Sequence, residues 1–463
     1  MTGRIEATPG NDAHQSTSIR SLAKKLRTFD YFTIGFGTMV GVGWLVIMDD
    51  WLSRGGYLGA ILGFVIGGIS LFPIAYTYGQ LVARLPDAGS EITYTAQVFP
   101  TTVSFATGWI MMLGYLVVCP WEAVAIGKIV GYIFPQMNTM ELYRVAGYPI
   151  YLPHLITGLA LTAIITFVNY RGVQQSARFQ NWTTIGLLVL FVTFCAFGVA
   201  KGSTANFTPP FSQSAAVSIL LVVQIVPYFM VGFESVAKCS EEARPNFPQR
   251  SFMHAMLAAV LVGILFYATV IAIVAYIHPW RSLVGQSFST AVAFETAFGS
   301  RWIVQVIFVA ATLSLLKVFN GNFLATSRLL FALGRKGLIH PKFGEVHSQN
   351  HTPGFAIAAI GLATAATACF GQALLVPITE VGAMASAFGW MAACAAYCRM
   401  TSSTKHLLIA SLGTIVAGIL ITMKLAPGIP GHFSLYEWLT LAGWCLLGLA
   451  LKRQPQSEQV LKS

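Results

Sequence analysis

Charge is scarce in this sequence. Only 10% of its residues are Asp, Glu, Lys or Arg, while 55% are hydrophobic; a soluble globular chain carries about 25% charged residues. So few polar side chains cannot cover a water-facing surface, which excludes a soluble globular protein and makes lipid the solvent for much of the molecule. Cysteine pairing is also missing: Cys119, Cys195, Cys239, Cys369, Cys394, Cys398 and Cys445 lie in or beside apolar runs, with neither a disulfide framework nor a zinc spacing. Cys394 and Cys398 share a helix face and read as small packing residues. The nine histidines form no ligand pattern, so no metal and no cofactor is expected. No Gly-x-x-x-x-Gly-Lys-Ser/Thr loop is present, which argues against ATP hydrolysis. Paired acids, or a nucleophile with its base, are lacking too, which argues against an enzyme. Filter loops and repeated pore-lining polar residues are likewise absent, which argues against a channel.

What is present is a series of apolar runs, each long enough to cross about 30 Å of hydrocarbon as a helix. Seven lie at 32–52, 57–82, 104–127, 151–169, 181–200, 216–237 and 253–277. Five more lie at 303–330, 355–371, 377–398, 406–424 and 433–451. Twelve spans are therefore expected, in an all-α polytopic membrane protein. With the connections assigned to alternate sides, twenty of the 28 Lys and Arg fall on the side of the N-terminus, seven fall on the other, and Lys317 is left inside a span. The positive-inside rule then makes both termini cytoplasmic. The net charge of +11 is thus a topology signal, with no nucleic-acid partner implied. About thirty polar and basic residues precede the first run, so no secretory signal peptide is expected. Residues up to Ser18 are expected to be disordered. Leu22, Leu26, Phe29 and Phe32 recur at helical spacing among basic residues, which predicts a helix lying at the cytoplasmic interface.

Two spans carry residues that work against a continuous helix. The first contains Gly35, Gly37, Gly41 and Gly43, each costing about 1 kcal/mol against alanine in a helix interior. An unwound stretch there frees N–H and C=O groups, tolerated at that depth only where they line a cavity or bind something. Gly37 and Gly41 also form a Gly-x-x-x-Gly pair, which fits close helix packing equally well. In the sixth span Pro227 removes a backbone donor and Tyr228-Phe229-Met230-Val231-Gly232-Phe233-Glu234 follows. Interrupted helices in the two halves of a chain point to a transporter site, because freed amides suit a carboxylate and freed carbonyls suit an ammonium. A proline kink without a ligand is the other reading.

These residues resemble the amino acid–polyamine–organocation transporters, over most of the chain. The string Gly37 to Trp44 resembles the family's glycine-rich first-helix break, and Gly232-Phe233-Glu234-Ser235 its sixth-helix motif. Glu241-Glu242, Pro245 and Pro248-Gln249-Arg250 resemble the stretch that follows that helix. Leu85-Pro86-Asp87-Ala88-Gly89-Ser90, Asn169-Tyr170-Arg171-Gly172-Val173, Ser327-Arg328 through Arg335, and His351-Thr352-Pro353 add further matches in the family's order. Trp44 and Met230 differ from the residues more usual at their places, and no lysine stands between Thr183 and Leu188. The resemblance implies a core of ten helices, five repeated in inverted topology as five, as in the fold of related sodium-coupled transporters, with two helices appended. It divides the chain into a tail with the interfacial helix at 1–30, repeats at 31–200 and 216–398, the added helices at 405–451 and a cytoplasmic tail at 452–463. Substrate contacts carried over are Thr38, Val40, Gly41 and Gly43 from the first span and Tyr228, Phe229, Met230 and Gly232 from the sixth.

Lys317 stands well inside the eighth span, where an unpaired ammonium costs about 2.5–3.5 kcal/mol on insertion scales. In related sodium-coupled transporters, hydroxyl residues near this place hold a sodium ion against helix one. Lys317 is expected either to replace that ion on freed carbonyls, as a coupling group, or to tether the two spans permanently. Glu234 is either an i, i+4 partner of Lys238 or a cytoplasmic gate element. Glu122, in Pro120-Trp121-Glu122, is either structural or a proton carrier, and Asn320 and Phe323 are expected to face the cavity. Asp49, Asp50 and Arg54 read as an exposed outer cluster. The expectation is a secondary active transporter in the cell membrane, carrying an amino acid by alternating access and independent of sodium, by proton symport or exchange. A polyamine or amino alcohol is the alternative cargo. The partners implied are this small solute, the bilayer and protons.

Overall fold

Glycine, proline and capping residues cut the apolar runs into helices that are seldom straight from end to end. The computed structural model describes residues 22–371 and 375–453, leaving out the side chains of 375–378. The expected disorder up to Ser18 lies outside the described residues, as does most of the C-terminal tail. The helices of the first half are α1 (Thr28–Met39), α2 (Gly43–Val46), α3 (Met48–Ser70), α4 (Phe72–Arg84), α5 (Glu91–Ala96), α6 (Thr101–Leu116), α7 (Val118–Ile133), α8 (Leu152–Arg171) and α9 (Val173–Lys201). A hairpin of β1 (Glu141–Val145) and β2 (Tyr148–Tyr151) joins α7 to α8. The rest are α10 (Ala215–Val223), α11 (Val226–Met230), α12 (Ser235–Lys238), α13 (Arg250–Ile277), α14 (Ser289–Phe298), α15 (Arg301–Arg335), α16 (Gly354–Ala368), α17 (Leu375–Met400), α18 (Thr404–Leu425) and α19 (Leu435–Leu451).

Among the described residues, nine helical stretches are long and apolar enough to cross a membrane, and Gly354–Ala368 and Leu435–Leu451 are shorter apolar helices. The outer faces of these helices are apolar and exposed, as at Leu362, Ile415 and Leu446, which suits lipid contact. The expected run at 216–237 is divided into α10, α11 and α12. Other boundaries also differ from expectation, two of them near the site. The first run ends at Val46, because Ile47 leaves helical dihedrals (φ −132°, ψ 27°), so Asp49, Asp50 and Arg54 belong to the next helix. That next helix is bent at Gly56, whose φ of +63° and contact with the Pro210–Phe211 backbone admit no side chain.

Among the described residues, no interfacial helix precedes α1. Residues 22–27 are not helical, and Lys25 and Leu26 donate to the Glu242 carbonyl while Arg244 donates back to Leu26. Leu22 and Leu26 are the buried side chains of this strap and Phe29 is half exposed. A spacing of four residues fits both the helical and the extended period, and backbone pairing with the segment after α12 selects the extended one. The strap marks one end of the bundle, here the tail end, and the β-hairpin marks the other.

Candidate functional site

Helices α1 and α2 are separated by Val40, Gly41 and Val42, and α11 and α12 by residues 231–234. These two breaks touch. Gly232 has φ +129°, and a Cβ there would stand 2.8 Å from both the Thr38 carbonyl carbon and the Met39 nitrogen. Positive φ and close approach together require glycine at this position. The Ser235 hydroxyl ties the breaks again, lying 3.3 Å from Thr38 Oγ1. Thr38, Val40 and Met230 are buried, and Tyr228 and Phe229 nearly so.

Every carbonyl freed in the first break meets a side-chain donor. Asn322 donates to Thr38 O at 3.0 Å. Ser314 reaches Val40 O at 3.1 Å and Gly41 O at 2.7 Å. Lys317 Nζ donates to Val40 O, lies 3.4 Å from Gly37 O and sits 5.3 Å from the centre of the Phe36 ring. Among the described residues no carboxylate comes within ion-pair distance of Lys317. Tyr267 OH lies 3.1 Å from Met39 O and 3.2 Å from Phe229 O, so a single hydroxyl hydrogen bridges the two breaks. Thr290 caps Trp44 O at 2.6 Å. The amides have no such cover: among the described residues, those of Val42, Gly43 and Trp44 donate to no backbone carbonyl. A buried, unmet donor costs roughly 1–3 kcal/mol, so this edge of the break favours an acceptor such as a carboxylate.

Glu122 of α7 approaches the same break, with Oε1 3.0 Å from where a Cβ on Gly41 would stand. Its other oxygen and the Tyr228 hydroxyl, both buried, have no hydrogen-bond partner among the described residues. Above the breaks, toward the hairpin end, a cavity of about 320 Å³ is lined by Asp49, Asp50, Arg54, Lys128 and Glu380 and reaches down to Phe229. Phe229 closes its floor, edge-on to Trp51 at 5.0 Å and packed near Tyr267 at 6.2 Å between ring centres. Arg54 pairs with Asp50 at 2.8 Å and with Glu380 at 3.3 Å, and Lys424 pairs with Glu380. Asp50 and Arg54 are therefore joined with Glu380 and Lys424 in a partly buried network instead of an exposed cluster, and Asp49 lines the cavity outside those ion pairs.

The tail end is closed by charge. Arg328–Glu242 (2.7 Å) and Lys238–Glu91 (2.6 Å) are pairs with no exposed side-chain surface. Arg335 joins Asp87 and Glu241 nearer the edge.

Two expectations for single residues are corrected. Lys238 takes Glu91 as its ion-pair partner and reaches Glu234 only through its backbone carbonyl at 3.4 Å. The Glu234 carboxylate turns back onto the Gly232 amide at 3.1 Å, because α12 is a single turn that begins after Glu234. Asn320 faces away from the breaks. It accepts from Asn169 at 3.0 Å and Ser176 at 3.1 Å and donates to Gln180 at 2.9 Å, knitting α8, α9 and α15 together. Phe323 is fully buried beside Phe319. The residues that meet the first break are instead Ser314, Lys317 and Asn322, within one stripe of α15. Polar residues three to five apart in an apolar span were the available signal; Tyr267 and Thr290 offered none.

A family model described as amino acid permease matches residues 30–425. The chain is 26% identical to the methylthioribose transporter of Bacillus subtilis over 363 residues, 76% of each protein. It is 23% identical to a branched-chain amino acid permease of the same organism over 72% of each. It is also 27% identical to the chloroplastic cationic amino acid transporter 9 of Arabidopsis thaliana, over 72% of this chain and 59% of that protein.

Proposed function

We propose, from the premise that this chain belongs to the amino acid permease family, that it is a secondary active transporter carrying an amino acid across the cell membrane by alternating access. The observation that carries this reading is the contact between two broken helices, where Gly232 packs on Thr38 and Met39. At that contact the amino acid lies between the chain's own peptide groups. Its carboxylate is received by the open amides of Val42, Gly43 and Trp44. Its side chain lies among Tyr228, Phe229 and Met230, with Thr38, Val40, Gly41 and Gly232 forming the rest of the wall. The Glu122 oxygen and the Tyr228 hydroxyl that lack partners supply polar contacts for its amine.

In this reading the chain crosses the membrane twelve times, with 31–200 and 216–398 as inverted repeats and both termini cytoplasmic. The tail end then faces the cytoplasm and is closed, while the cavity above Phe229 faces outward. Lys317 takes the place of a coupling metal cation on the carbonyls of Gly37 and Val40. Transport is then independent of sodium and driven by protons or by exchange. Glu122 beside Gly41 also suits a polyamine or amino alcohol, which makes that the second reading.

Uptake into proteoliposomes tests these points. The panel comprises branched-chain and cationic amino acids, a polyamine, an amino alcohol and methylthioribose, each at varied pH and sodium. Saturable uptake of an amino acid, unaffected by sodium, is expected. Uptake of methylthioribose alone overturns the amino acid reading, and sodium dependence overturns the role of Lys317. Lys317→Met should abolish the response to an imposed pH gradient; an unchanged response leaves Lys317 as a tether.

A further inference from the structure

One of the two sealed charge pairs of the tail end joins two pieces of chain that are far apart in sequence. Glu91 opens α5, the short helix between α4 and α6, and Lys238 closes α12, the turn beyond the second break. Their charged atoms are 2.6 Å apart with no exposed surface on either side chain. Tyr78 donates to the same Glu91 oxygen at 2.7 Å, and Lys238 lies 4.9 Å from the centre of the Tyr115 ring. Glu91 Oε2 has no partner among the described residues, so the pair is only half satisfied. A buried pair of this kind adds little stability over apolar residues of the same size, and its best-attested use is to specify or switch a structure. Lys238 is linked directly to the breaks: it bonds the Glu234 carbonyl, and the Glu234 carboxylate holds the amide of Gly232, which lies on Thr38 and Met39.

Building on the transport reading above, we propose that Lys238–Glu91 is a charge latch. It holds the α12 half of the broken helix against α5 while the path from the breaks to the tail end is shut, and it separates when that path opens and water solvates both charges. Closure at the solute site and closure of the exit are then one movement, because seven residues of chain connect Gly232 to Lys238.

Cys239, the next residue, is buried and adjoins the latch, so it serves as a reporter. In the full chain with the other six cysteines replaced by serine or alanine, a membrane-impermeant maleimide is applied to right-side-out and to inside-out vesicles. Glu91→Gln leaves Lys238 uncompensated and favours the hydrated, open state, so labelling from the tail-end face should rise about tenfold or more. The double variant Glu91→Leu/Lys238→Met keeps the volume and removes any charge to hydrate, so its labelling should fall below that of the parent. Equal labelling in all three proteins overturns the latch. If Glu91→Gln does not fold, labelling of the double variant at or above the parental rate overturns it. A rise seen from the opposite face keeps the latch and overturns only the proposed orientation, and the labelling does not depend on which solute is carried.

Discussion

The two ends of the bundle differ in how far their principal ion pairs are sealed from water. At the tail end, Arg328–Glu242 and Lys238–Glu91 are sealed from solvent, whereas at the hairpin end Arg54 and Asp50 keep 20% and 39% of their side-chain surface exposed beside an open cavity. A sealed pair leaves an uncompensated charge when one partner is lost, while a partly buried pair beside an open cavity recovers part of the loss from water. The tail end is thus built to be either fully closed or disrupted, and the hairpin end to adjust by degrees. The waist between them is held by side-chain hydrogen bonds to freed carbonyls, neutral from Tyr267, Ser314 and Asn322 and charged from Lys317.

That difference can be broken by substitution, with effects ranked from the tail end outward. Arg328→Met should have the largest effect, about 3–5 kcal/mol of destabilisation from the orphaned Glu242, read as a large drop in melting midpoint in detergent. At the waist, Gly232→Ala should cost about 1–3 kcal/mol in backbone strain, with uptake lost along with stability because the breaks are forced apart. Tyr267→Phe leaves the buried Met39 O and Phe229 O without this donor; a loss of about 1–3 kcal/mol is expected, with reduced uptake in a protein that still folds. Arg54→Gln at the hairpin end should cost under about 1 kcal/mol, since Glu380 keeps Lys424, and its midpoint should stay near the parental one. A midpoint for Arg54→Gln as low as that for Arg328→Met would erase the contrast between the ends.

The breaks were readable in advance because they are made by composition. Glycines crowded into one apolar run and Pro227 in another weaken helices wherever those helices pack. Lys317 was readable for a related reason, since an ammonium in an apolar span needs a partner of some kind. Glu234, Lys238 and Asn320 were read less well. The i, i+4 spacing of Glu234 and Lys238 predicts a pair only on a continuous helix, and the helix begins between them. Lys238 instead meets a residue 147 positions away. Asn320 lies off the stripe of α15 that faces the first break, so its polarity was evident and its direction was not. The strap at 22–27 shows the same limit, because its apolar spacing was visible and its backbone partner was not.

By itself the sequence determined the solvent of this protein, its apolar runs and two runs whose glycines or proline weaken a helix, because hydrophobicity and backbone propensity act locally. Tertiary structure alone decided which freed carbonyl meets Tyr267, Ser314, Lys317 or Asn322, and which carboxylate neutralises Lys238. Those partners are close in space and distant along the chain, and only the packing of whole helices brings them within the reach of a hydrogen bond.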